Sequence, residues 1–214
     1  MRLKRQRITR VRRILRMNLI SKTRSNKVFC LIGPSGTGKD ELKFNSDLPY
    51  LVFYLDRKMR DGEVEGENGY FITPEEFEAK KKADFFIAHD TYAGGSYGVC
   101  QGELLKLESS PVISIATWDI FSQIKESFDR MDGYSSNEVV SIFVHTPRED
   151  LKTRMIKQGR AKEEIRARID RADIDYAMSS KCDYVIENLN GQFDSALYQL
   201  MKIIVAESFG KKSV

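Results

Sequence analysis

Short, continuous apolar runs recur along this chain, separated by longer stretches in which apolar positions return at three- and four-residue intervals. The runs predict strands over residues 28–33, 50–55, 70–73, 85–88, 112–116, 139–144 and 183–186. The longer stretches predict helices over 38–46, 101–108, 118–131, 148–158, 162–179 and 192–207, and one that begins at Pro74. Thr73 is placed as the N-cap of that last helix, with Glu76 at the capping-box position. Residues 56–69 are polar and charged with interspersed glycine and predict a loop. Gly94, Gly95 and Gly98 predict a turn. Strands that alternate with helices imply an α/β fold with a parallel sheet, and the runs at 112–116 and 139–144 are apolar enough for central strands.

Composition adds one correction to this picture. The formal net charge of +4 is unevenly spread: residues 1–27 hold 11 of the 35 Lys and Arg and no acid, which leaves 24 basic and 31 acidic groups beyond, a net of −7. The body is therefore acidic and not a general nucleic-acid binder. Ile8, Val11, Ile14, Leu15 and Leu19 recur at helical spacing within the basic segment. That segment fits an amphipathic arm on RNA or an anionic membrane, an organellar transit peptide, or a non-functional, disordered extension with Met17 as an alternative start. No stretch reaches the roughly 18 apolar residues of a membrane span. Cys30, Cys100 and Cys182 are widely spaced and odd in number, which fits neither a metal cluster nor a disulfide framework and points to a cytoplasmic setting.

The candidate chemistry starts at Gly33-Pro34-Ser35-Gly36-Thr37-Gly38-Lys39, which follows the first apolar run and opens a predicted helix. Strand, Gly-rich turn and helix N-terminus together form a phosphate-binding loop. Glycines allow the backbone N–H groups to converge on phosphate oxygens, the helix dipole favours the anion, and Lys39 reaches the β- and γ-phosphates. The pattern places Ser or Thr after the lysine to hold Mg²⁺; this chain has Asp40, also a hard oxygen ligand. ATP and Mg²⁺ are the expected donor and metal.

Further motifs narrow the reading. Asp56-Arg57-Lys58-Met59-Arg60-Asp61-Gly62-Glu63-Val64-Glu65-Gly66, then Tyr70-Phe71-Ile72 and Pro74-Glu75-Glu76-Phe77, resembles the acceptor loop of guanylate kinases. The resemblance continues at Ser96-Tyr97-Gly98, at Phe143-Val144-His145-Thr146-Pro147, at Gly159-Arg160 with Arg166-Ala167-Arg168, and at Asp183-Tyr184-Val185-Ile186-Glu187-Asn188. It spans residues 28–207. It implies a P-loop NTPase three-layer fold with a parallel central sheet, a small acceptor-binding insert near 56–99 and a helical lid near 154–168, with 208–214 as a tail. It implies acceptor binding by Ser35, Arg57, Arg60, Glu63 and Tyr97, a donor-base contact at Asn188, and lid arginines at Arg154, Arg160 and Arg168 that act with Lys39 on the transferring phosphoryl group. The expected acceptor is a small-molecule nucleotide of the (d)GMP type.

Two family features are missing at their expected places. The carboxylates that read guanine fall near Ala88 or His89 and near Ala116 or Thr117, although Asp90 and Asp119 are close. Gly38-Lys39-Asp40 and Tyr97-Gly98-Val99 also resemble ribose 1,5-bisphosphate phosphokinases, whose sugar-phosphate acceptor has no base. A third reading is a non-catalytic guanylate-kinase-like binding module. The oligomeric state is open.

Overall fold

The structure, a computed structural model, describes residues 8, 9, 11–13, 27–92 and 94–209. Its centre is a four-stranded parallel sheet in the order β6-β1-β7-β8. The strands are β1 (Val28–Ile32), β6 (Val112–Ile115), β7 (Val139–His145) and β8 (Tyr184–Glu187). Every residue of β1 is buried, as expected for a strand covered on both faces. Its alternation assigns the two faces. Phe29 and Leu31 meet α1 (Lys39–Phe44) and α6 (Phe193–Phe209) through Leu42, Leu197, Leu200 and Ile204. Val28, Cys30 and Ile32 meet the buried side of α3 (Trp118–Arg130) through Ile120, Ile124 and Phe128. Helix, sheet and helix make the expected three layers.

A second, smaller sheet has the order β3-β2-β5-β4. It is built from β2 (Tyr54–Leu55), β3 (Tyr70–Phe71), β4 (Phe86–Tyr92) and β5 (Gly95–Cys100). Helix α2 (Pro74–Lys82) begins within the capping box predicted for it: the Thr73 hydroxyl accepts from the Glu76 N–H, and the Glu76 carboxylate accepts from the Thr73 N–H. Helices α4 (Arg148–Lys157) and α5 (Lys162–Ala177) complete the chain between β7 and β8.

Four expectations require correction. The apolar run 50–55 is divided between the two sheets. Tyr50 makes an isolated parallel bridge to Ile113, and only Tyr54–Leu55 joins the small sheet. The Val52 N–H between them donates to Glu103 Oε2 at 2.6 Å. The run at 112–116 lies outside β1 rather than at the sheet centre, which belongs to β1 and β7. Residues 101–108 form a 3-10 helix. Gly98 is not in a turn but inside β5, where a Cβ would lie 2.8 Å from the Phe86 ring; the glycine admits the ring.

The basic N-terminal segment also departs from a disordered extension where it is described. Residues 8, 9 and 11–13 are helical, and Ile8 and Val11 are buried in the α1/α6 layer. Arg12 donates to the Asn45 carbonyl at 2.8 Å and pairs with Asp47 at 3.1 Å. Ile14, Leu15 and Leu19 lie outside the described residues, as do 210–214 of the tail. Residues 208 and 209 close α6.

Candidate active site

The loop between β1 and α1 sits at the carboxyl end of the parallel sheet, where open α/β folds place their ligands. Gly33, Gly36 and Gly38 all have positive φ. Gly38 is the most constrained: at φ 85° a Cβ would stand 2.5 Å from the Asn188 amide nitrogen. Asn188 is buried and donates that amide to the Thr37 carbonyl at 2.7 Å. It braces the loop from below, rather than standing free to meet a donor base. Lys39 folds back over the loop and donates to the carbonyls of Gly33 at 2.5 Å and Pro34 at 2.7 Å. Burial lowers its pKa to about 8, against the opposing pull of Asp175 and Asp40.

Two of the three lid arginines reach this loop. Arg154 extends from α4 and donates to the Asn188 carbonyl at 2.6 Å, to Asn190 Oδ1 at 2.9 Å and to the Gly36 carbonyl at 3.3 Å. Burial lowers its pKa. Arg168, on α5, donates to Ser35 Oγ at 2.5 Å and to Glu164 at 3.0 Å. Arg160 shares Glu164 at 2.5 Å. Hydrogen bonds from Arg160 and then Arg168 hold the Glu164 carboxyl below its ordinary range. Ser35, expected on the acceptor, is engaged by a lid arginine.

The acceptor side faces the loop across a single cleft lined by both sheets. Arg57 and Glu63 form a two-pronged pair at 2.6 and 2.7 Å, and Glu63 also accepts the Arg60 N–H at 2.8 Å. The hydrogen bonds from Arg57 pull the Glu63 carboxyl from an ordinary 4.5 to about 2. Glu63 therefore orients the Arg57 guanidinium, fixes the loop backbone at Arg60, and does not itself present a free carboxylate to an acceptor. Arg57 also lies 5.1 Å from the Phe71 ring centroid. Tyr97 pairs with Asp90 across β5 and β4, and both line the cleft beside Arg60. Tyr70, in contrast, turns its hydroxyl to Glu103 at 3.2 Å.

Asp90 lies next to the position where the first carboxylate was expected. Its Oδ2 accepts the Thr117 hydroxyl at 2.6 Å, and its Oδ1 accepts the Thr91 N–H at 2.7 Å. Thr117 caps α3 and sits beside Ala116, where a second carboxylate was expected. The cleft thus holds a carboxylate and a hydroxyl bonded to each other. Asp119 lines the cleft nearby. Sequence reasoning missed Tyr92, Arg171 and Asp175. The spacing 168, 171, 175 is one helical face, a signal that was available.

The family model described as Guanylate kinase matches residues 25–207. The chain belongs to the guanylate kinase family. It is 32% identical over 183 residues to the guanylate kinase of Clostridium tetani, covering 82% of this chain and 83% of that one. It is 32% identical over 189 residues to that of Rickettsia felis, covering 84% and 93%. A crystal structure of guanylate kinase from Anaplasma phagocytophilum matches with a TM-score of 0.65 at 25% identity, over 87% of this chain and 88% of that chain. The fold is the α/β P-loop fold of that family.

Among the described residues no group of three or more His, Cys, Asp or Glu forms a metal cluster. Asp40, in the first turn of α1 beside Glu41, is 79% exposed and 3.7 Å from Lys43. One exposed carboxylate fits a Mg²⁺ that takes its other ligands from nucleotide phosphates and water. No helix among the described residues is long and apolar enough to cross a membrane.

Proposed function

We propose that this chain is an ATP-dependent phosphotransferase of the guanylate kinase type, moving the γ-phosphate of ATP to GMP or dGMP. The observation that carries the reading is the meeting, in one cleft, of a lysine-bearing phosphate loop with a second anion clamp and a base-reading carboxylate. Loop N–H groups and Lys39 hold the donor phosphates. Arg57 and Arg60, held by Glu63, grip the acceptor phosphate, with Tyr97 adding a hydroxyl. Asp90 accepts the guanine N1–H and amino group, and the Thr117 hydroxyl fixes its orientation. Arg154, Arg160 and Arg168 stabilise charge as it spreads over the transferring group. No protein nucleophile is required, because an acceptor phosphate oxygen attacks directly. Asp40 would hold Mg²⁺ through one carboxylate oxygen, and the ion would supply charge neutralisation at the donor phosphates. Asn188 acts through the loop it braces.

Asp90 in the cleft favours a nucleotide over a sugar bisphosphate, which has no base to read. The intact glycines and Lys39 favour catalysis over a binding module. The three cysteines are free, in keeping with a reducing cytoplasm. The test is ADP release with MgATP over GMP, dGMP, AMP, UMP, CMP and ribose 1,5-bisphosphate, in the wild type and in Asp90→Asn. GMP and dGMP are expected to lead. The amide turns a donor toward guanine's donors and should lower kcat/KM for GMP roughly 10–100-fold, the span expected for a hydrogen bond to a charged group. Faster turnover of the sugar bisphosphate, or an unaffected Asp90→Asn variant, would overturn the reading.

A further inference from the structure

Helix α5 directs three charged side chains to one face, since positions 168, 171 and 175 lie within two turns of each other. The first turn touches the phosphate loop, through Arg168 and Ser35. The next reaches the acceptor side. Asp175 Oδ2 accepts a hydrogen bond from the Tyr92 hydroxyl at 3.4 Å, and the Arg171 guanidinium lies 4.3 Å from the Tyr92 ring centroid. Tyr92 ends β4, two residues beyond Asp90, so the two side chains share a strand face. The charge of Asp175 acts on Lys39 as well as on Arg171. The Asp175 carboxylate thus links the lid helix that carries it to Tyr92 on β4, and its charge also acts on the loop lysine.

We infer that Tyr92, Arg171 and Asp175 form a positioning latch that joins the acceptor-reading strand to the lid helix and sets Arg168 over the phosphate loop. None of the three needs to touch a reacting atom. Movement of β4 as it takes up the base is passed to α5 through the Tyr92 hydroxyl and ring, and α5 carries Arg168 with it. The kinetic consequence rests on the proposed GMP reaction; the physical link between strand and helix does not.

The test uses the full chain with Tyr92→Phe, which keeps the ring under Arg171 and removes only the hydroxyl donor, and Asp175→Asn, which keeps an acceptor and removes the charge. Amide hydrogen exchange over 162–177 is measured in the free protein, and kcat and KM with GMP and MgATP in turnover. Tyr92→Phe is expected to quicken exchange in α5 about threefold to tenfold while β1 and β7 are unmoved, the range set by one ordinary hydrogen bond. It should lower kcat by a similar factor and leave KM for ATP within about twofold. The double variant should fall short of the product of the two single effects, because both act on the same contact. Unchanged exchange in α5 overturns the latch whatever the acceptor. Faster exchange with full kcat reduces the contact to packing and overturns it too. A wild type that ignores GMP, with α5 still loosened by Tyr92→Phe, removes the GMP reading and leaves the latch standing. If Asp175→Asn does not fold, Tyr92→Phe decides alone.

Discussion

At the scale of single residues, the charged groups of the site are paired with the protein's own atoms. Lys39 is bound to two loop carbonyls, and Arg57 to Glu63. The lysine titrates near 8 because burial penalises its charged form. The sign of the resulting pH dependence is clear. Only protonated Lys39 attracts phosphate, so kcat/KM for MgATP, which reports the free enzyme, should fall as pH rises through about 8. Bound phosphates favour the charged lysine, so kcat should stay level to higher pH. A profile of kcat/KM that is flat to about pH 9.5 would remove this role. The lysine, its glycines and the arginine positions were legible in sequence, because each is fixed by local spacing within a motif. The Asp90–Thr117 pair was not. It joins residues 27 apart across a strand and a helix cap, and no single-chain spacing predicts that meeting.

At the scale of elements, local chemistry was read well and long-range partition poorly. The Thr73 capping box stands as expected because all its partners lie within four residues. The run 50–55 was read as one strand, but its two ends serve different sheets, a choice made by partners far away in sequence. The N-terminal spacing of Ile8 and Val11 was legible as an apolar helical face; that the face is buried against α1 and α6 was not. Helix packing gives this segment a measurable weight. Val11→Ala removes two buried methyl-sized groups and should cost about 2 kcal/mol. In a domain of this size that corresponds to about 4–8 °C in Tm. An unchanged melting temperature would mean that the segment leaves the body in solution. Arg12 and Asp47 are partly exposed, so their pairing adds at most about 1 kcal/mol.

At the scale of the molecule, a rigid parallel sheet carries the donor loop, and a small mixed sheet carries the acceptor clamp, with one cleft between. Each ligand supplies charge that the opposite wall attracts, so the two should bind cooperatively. The rise in Tm with a non-hydrolysable ATP analogue, Mg²⁺ and GMP together should exceed the sum of the separate rises. A coupling of about 1–3 kcal/mol predicts an excess of several degrees. Strictly additive shifts would show that the walls act independently.

The phosphate loop is held in shape by the protein's own contacts. Three glycines hold their left-handed backbone, Asn188 props the turn, and the lysine lies across its own carbonyls. Recognition of the donor is therefore an exchange of partners on a finished template, not the ordering of a slack segment. Little chain entropy remains to be lost at that step.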